Sequence, residues 1–267
     1  MARAVGIKVG GRPIGVAPLF QPLQDNAPQL LALGAGVAVW EALGWALQFP
    51  WLPPFSRVLA ATVDLIASGR ILGNLVASLT SLALGYGFSV IVGVTVGALM
   101  ARYKKVEYAL DVYVNAMLFA PSIVFAPIFF TLFGLSDVTR VGVVVLYTLF
   151  IVIINTFTGF RTVDPSLVEM ARSFGASERQ LLVRVLLPAA LPLVFAGLRL
   201  GMGRAVKGMI NGEMFIALVG LGALIHRYGG QFDATRVLGI TLVVLAVALA
   251  LSRLVQWLDH RLTAWAD

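Results

Sequence analysis

The 267-residue chain contains no cysteine, which excludes disulfide frameworks, thiolate nucleophiles and cysteine metal sites and leaves the redox compartment undetermined. Its two histidines, His226 and His260, stand far apart in sequence, so a histidine-rich metal centre is not expected. Charge is the second shortage. Only 12% of residues are charged while 59% are hydrophobic, against about 25% and roughly 45–50% in ordinary soluble domains. With a mean hydropathy of +0.91, a soluble globular protein is excluded. The phosphate-cradling pattern G-x-x-x-x-G-K-S/T is also missing, so the chain cannot itself bind ATP in that way, and no cofactor is expected. No cluster of His, Cys or paired carboxylates converges at membrane depth, which ranks a membrane-embedded enzyme last. No internal repeat or inverted pair of interrupted helices is visible, which weakens a repeat-built secondary transporter.

What the chain does have is long uncharged runs, at 42–56, 74–101, 112–136, 141–160 and 237–252. A membrane-crossing helix needs about 20 mostly apolar residues, whereas strands of a membrane barrel alternate in polarity over short segments. The expected fold is therefore all-α, a polytopic transmembrane helical bundle of about six spans. These fall near 30–49, 74–100, 112–134, 138–157, 189–210 and 237–257. The net charge of +7 and pI near 10.1 are read as topology, not as a nucleic-acid footprint. With a cytoplasmic N-terminus, twelve basic residues fall on the inner side: Arg3, Lys8, Arg12, Arg102, Lys104, Lys105, Arg161, Arg172, Arg179, Arg184, Arg253 and Arg261. Five fall outside: Arg57, Arg70, Arg140, Arg227 and Arg236. This predicts an inner-membrane protein with both termini cytoplasmic. Residues 1–29, with four prolines and no compact apolar core, read as a cytoplasmic tail preceding a membrane domain over 30–267. After Pro53-Pro54, the stretch 56–69 places Val58, Leu59, Val63 and Ile66 at helical spacing, as in a short amphipathic helix on the outer surface. Pro121 and Pro127 are expected to bend the third span.

Between spans four and five, 161–188 carries Arg161, Asp164, Glu169, Arg172, Glu178, Arg179 and Arg184, which makes burial in lipid prohibitive. Asp164-Pro165 is an N-cap with proline at the first helical position, and Ser177 with Gln180 three residues on is a capping box. The loop is expected to hold two helices, about 165–174 and 178–187, broken at Gly175. The first presents Leu167, Met170, Ala171 and Phe174 at helical spacing. Such a helix either folds onto its own membrane domain or docks in a groove of a soluble partner.

Glu169-Met170-Ala171, Gly175 and Val185-Leu186-Leu187-Pro188, at these offsets, resemble the EAA loop of binding-protein-dependent ABC importer permeases, with Met and Val at two positions where Ala and Ile are usual. The stretch 51–59, Leu75 to Leu79, Pro121, Pro127, Phe133-Gly134-Leu135, Val163-Asp164-Pro165, Gly197-Leu198-Arg199, Glu213 and Gly220-Leu221-Gly222 resemble the nitrate/sulfonate/taurine branch of that family. The resemblance implies a type I importer fold and a pore made by two permease copies. It also implies two cytoplasmic ATPase subunits that receive the EAA helices, and an extracytoplasmic binding protein that delivers substrate. On this chain Leu167, Glu169, Met170, Ala171, Phe174 and Gly175 would then form the ATPase-coupling element, and hydrolysis would occur on partner subunits. The competing reading is an ion-coupled secondary transporter that works without an ATPase.

Ionisable residues at membrane depth are functional candidates. Counting from Pro188 at about 1.5 Å per residue, Arg199 falls near the bilayer midplane, Arg204 in its outer half and Lys207 near the outer interface. A basic lining favours an anionic solute. Arg199 equally suits a structural role, paired with Glu41 or Glu213, and Lys207 can snorkel. Lys207 departs from the branch, where an apolar or aromatic residue is more usual. Glu213 and Asn155 complete the set of pathway candidates. Gly93-x3-Gly97, Gly197-x3-Gly201 and Gly208-x3-Gly212 permit close helix approach, within the chain or between copies.

Overall fold

A computed structural model describes residues 27–120, 122–216 and 218–263. Of the segment 1–29, only its last three residues are described, and they open the first helix; Pro121 lies outside the described residues. The secondary structure is helical throughout the described residues, and no strand occurs among them. Five helices are long and apolar enough to cross a membrane, and a sixth span is formed if one bent pair is counted together.

The chain divides into two units, Met1–Ser56 and Arg57–Asp267. In the first, α1 (Ala27–Leu47) is followed by a corner at Pro53-Pro54 that leads into α2 (Phe55–Ala67). Trp40 donates its indole N–H to the Pro53 carbonyl at 3.0 Å. Glu41 accepts from Ser56 N–H at 2.9 Å, Ser56 Oγ at 2.7 Å and Trp45 Nε1 at 2.7 Å, so its carboxylate is committed to capping the start of α2.

The second unit is built around α3 (Leu72–Arg102), α6 (Asp137–Arg161) and α9 (Leu187–Ile216), with α6 in the middle. Two ladders of glycine explain that arrangement. On α3, Gly85 lies over Val144, Gly93 over Val152 and Gly97 over Thr156; on α9, Gly197 lies over Asn155, Gly201 over Thr148 and Val152, Gly208 over Tyr147 and Gly212 over Val143. Apolar helices in lipid gain nothing from hiding apolar surface, so close backbone approach and dispersion hold them together. The three GxxxG patterns thus serve packing inside this chain. Buried hydroxyls at Ser89 and Thr148 donate to carbonyls one turn back, while the buried Thr156 Oγ1 under Gly97 has no hydrogen-bond partner among the described residues.

From Arg57 onward α2 belongs to this second unit; Val58, Thr62 and Leu65 are buried in it, while Leu59, Val63 and Ile66 are exposed, so the amphipathic helix has a protein side and an outward apolar side. α10 (Leu221–Gly230) and α11 (Ala234–Thr263) complete the unit; Leu65, Ile71, Leu221, Leu224 and Ile240 form one core cluster there.

Two elements differ from expectation. In place of the single span predicted at 112–134 stand two helical pieces: α4 (Lys104–Phe119) and the segment Ser122–Phe133, comprising a 3-10 turn and α5 (Ala126–Phe133), are bent by 98°. Pro127 stands in the first turn of α5, where its missing N–H costs no hydrogen bond, so it starts a helix where a bend was expected. The charged start of α4 is held by Arg161 at the end of α6, 2.9 Å from Glu107. The second difference is that the second loop helix and span five are one continuous run, Glu178–Ile216. α8 (Glu178–Leu181) passes into α9 through a π-helical segment, Leu182–Leu186, in which Leu187 N–H reaches the Leu182 carbonyl. Pro188 accounts for the widening. It has no N–H for the Arg184 carbonyl, and its ring would collide with that carbonyl in a regular helix.

Candidate functional site

The loop between α6 and α9 folds as its caps dictate. Asp164 accepts from Ser166 N–H at 2.8 Å and Pro165 opens α7 (Pro165–Ser173). That backbone N–H, donated to a solvent-exposed carboxylate, holds the Asp164 pKa below its ordinary value. At the other end Gly175 has φ +77°, its N–H donates to the Arg172 carbonyl and the Ala176 N–H to the Ala171 carbonyl, the reversal that glycine permits. The capping box is present: Gln180 N–H to Ser177 Oγ at 3.3 Å and Ser177 N–H to Gln180 Oε1 at 2.8 Å. Glu178 then binds Arg102 at 2.6 Å and Arg172 at 3.2 Å, which ties the elbow to the end of α3.

The side chains of α7 divide unequally. Phe174 is 85% exposed, and Leu167, Met170 and Glu169 are also exposed, whereas Ala171 is 8% exposed and is turned into its own chain. The apolar face available to another protein therefore consists of Leu167, Met170 and Phe174, and Ala171 is a packing residue on the reverse side.

On α9 the glycine side is buried against α6, and the opposite side is an exposed stripe holding Arg199, Leu200, Gly203, Arg204 and Lys207. Gly203 has nothing within 4 Å of where a Cβ would stand, so the stripe is indented between the cations. Arg199, within one turn of Gly201 and hence level with the middle of α6, binds Asp259 of α11 at 2.6 Å. This corrects both partners named from the sequence, Glu41 and Glu213. Arg204 and Lys207 have no ion pair or hydrogen bond among the described residues.

The other two pathway candidates are not on the stripe. Asn155 donates to the Ile151 carbonyl at 2.8 Å and lies under Gly197. Glu213 is fully buried at the start of α10. Three consecutive N–H groups there are accepted by side chains: Gly220 by Asn74 at 2.9 Å, Leu221 by Ser78 Oγ at 2.9 Å and Gly222 by Glu213 Oε2 at 3.0 Å. Ser78 Oγ also donates to Glu213 at 2.8 Å. Gly220 has φ +104°, and a Cβ on it would lie 2.2 Å from Glu213 Cδ. The positive end of α10 and the buried Arg140 guanidinium thus face the Glu213 carboxylate.

Asp259, Asn74 and Ser78 were not foreseen. Asp259 did leave a signal: neither it nor Arg199 has an opposite charge three or four residues away in sequence. Asn74 and Ser78 left none.

Residues 89–264 match the family described as binding-protein-dependent transport system inner membrane component. SsuC of Bacillus subtilis (strain 168), named for aliphatic sulfonates transport, is 31% identical over 86% of this chain and 84% of its own length. The formylaminopyrimidine transport permease protein ThiX of Halalkalibacterium halodurans is 30% identical over 86% of this chain and 92% of its own. Among solved structures, one of the inward-facing MetNI methionine ABC transporter superposes with a TM-score of 0.59 over 74% of this chain and 96% of that chain, at 19% identity, a likeness of fold. Fold, loop and sequence agree, and the chain belongs to the binding-protein-dependent transport system inner membrane components, as a multi-pass permease of an ABC importer.

Proposed function

We propose that this permease forms a homodimeric pore for a small anion, which a binding protein delivers from outside, with two ATPase subunits docked on the α7 helices inside. The observation that carries the anion is the α9 stripe. Charged side chains at membrane depth face water or protein, not hydrocarbon. Three cations on the one exposed side of α9 therefore mark that side as the wall of an aqueous path, and Arg204 and Lys207 carry positive charge without a partner among the described residues. SsuC is named for an anion, which agrees with this lining. In the coupling element, Leu167, Met170 and Phe174 are the anchors of a helix-in-groove contact. Glu169 beside them and the positive-φ turn at Gly175 aim it. Hydrolysis on the partners would displace the two α7 helices as rigid bodies and open the pore to one side at a time. The basic-residue asymmetry supports this orientation, with both termini and the α7 loop cytoplasmic and 1–29 as a tail. An ion-coupled transporter that works alone is not favoured in this family.

The test is ATP-dependent uptake into proteoliposomes holding the permease with its ATPase and binding protein. An alkanesulfonate and formylaminopyrimidine serve as charged and neutral probes. The alkanesulfonate should be taken up, and Lys207→Met should raise its apparent KM about tenfold. An unchanged KM removes Lys207 from the path, and uptake of the neutral probe alone replaces the anion by the ThiX-like reading. Glu169→Ala should leave insertion intact and uncouple hydrolysis from uptake; coupled transport in that variant sinks the docking role of α7.

A further inference from the structure

The three cations of α9 are not equivalent. Arg199 is neutralised by Asp259, whose Oδ2 takes the guanidinium at 2.6 Å; Thr263 Oγ1 donates to the Asp259 carbonyl at 2.7 Å and lies 3.1 Å from its Oδ1. The side chain of Asp259 is 13% exposed and that of Arg199 46%, so the carboxylate is enclosed while much of the guanidinium fork stays open to the stripe. Arg204 and Lys207 stand about 7.5 and 12 Å further along the axis. Among the described residues, positive charge without a partner on the stripe is thus confined to one end, and the other end carries a cation whose charge is already cancelled. A path that conducts must bind its solute well enough to admit it and weakly enough to release it. A third free cation, here a guanidinium whose planar fork suits sulfonate and carboxylate oxygens, would act as a trap.

Resting on the anion reading above, we infer that Asp259 is a specificity-determining residue, which occupies Arg199 in place of the transported anion and so sets how readily the anion leaves toward the cytoplasm. An anion drawn in by Lys207 and Arg204 meets, at Arg199, a competitor fixed in the same chain at close range. It passes that level as a transient contact of the open side of the guanidinium.

The reconstituted transporter tests this with Asp259→Asn, Asp259→Glu and the double variant Arg199→Gln/Asp259→Asn. Asp259→Asn should lower the apparent KM for the alkanesulfonate about tenfold and lower its maximal rate by a similar factor. Asp259→Glu should restore wild-type kinetics, and the double variant, which also loses the passing contact at Arg199, should bring the apparent KM and maximal rate back from the Asp259→Asn values toward wild type, because a neutral pair sets no trap. A role confined to holding α9 against α11 predicts instead that the double variant transports no better than the single one. That outcome overturns the inference, as does a well-inserted Asp259→Asn with unchanged KM and rate. If Asp259→Asn does not insert, the double variant decides: transport with an apparent KM no lower than the wild type's supports the inference and loss of transport overturns it. A wild type that takes up neither an alkanesulfonate nor nitrate disproves the anion reading itself, before any variant is compared.

Discussion

The start of α7 is closed by its own residues: Asp164 takes the Ser166 N–H two positions away, and Pro165 needs no partner. The start of α10 is closed by Asn74 and Ser78 of α3, which lie 146 and 143 residues away, and by Glu213 on the preceding helix. Each serves the same need, since the first N–H groups of a helix have no carbonyl behind them. The difference follows the surroundings. α7 is mostly exposed, so water accepts what its cap leaves over and one local side chain is enough. The first four residues of α10 are buried, and there every donor must find a partner within the protein. A helix that can be displaced as a unit suits a coupling role; one stitched to two other helices is part of the frame.

The largest effect that would break this contrast is expected at Gly220. Gly220→Ala places a Cβ on the Glu213 carboxyl in a conformation that only glycine adopts freely, at a cost of about 3 kcal/mol or more. Folded, detergent-soluble permease should fall severalfold, measured by size-exclusion recovery, and wild-type recovery would mean that the buried cluster is not the frame described. A smaller effect is expected at the elbow, where Ser177→Ala removes one local cap at a cost of about 1 kcal/mol. Recovery should stay near wild type while ATP-coupled uptake weakens about two- to fivefold; equal losses of recovery in both variants would erase the distinction between elbow and frame. The smallest concerns pH. Because the Ser166 N–H depresses the Asp164 pKa, that cap contributes fully above the ordinary aspartate range and is lost as pH falls through the depressed value. Amide exchange protection of Ser166 should therefore be pH-independent from about 5 to 8, once corrected for intrinsic rates, and decline below about 4. A decline between pH 5 and 7 would assign the cap to another group.

The same contrast marks how far the sequence can be read. Asp164-Pro165, Gly175 and the Ser177–Gln180 box were legible, because caps act over two or three residues. The bent third span was foreseen as a bend from its prolines but not as two helices at 98°, and the loop helix and span five were read as separate although they form one run. There the chain absorbs Pro188 in the π segment. Ala171 was placed among the docking residues by its spacing; an alanine is small enough to sit inward between bulkier neighbours, and only its packing shows that it does.

The sequence alone determined that this is a helical membrane protein, where most of its apolar helices run, and which loop is too charged for lipid. Those properties depend on hydrophobic length, on the cost of charge in hydrocarbon and on local hydrogen bonding, each written in contiguous residues. The tertiary structure decided which glycines meet which helix and that Glu213 serves a buried helix start. It alone showed that Arg199 is cancelled by Asp259 while Arg204 and Lys207 are not. Pairings across 60 residues are selected by the packing of whole helices, and no short stretch of sequence holds that information.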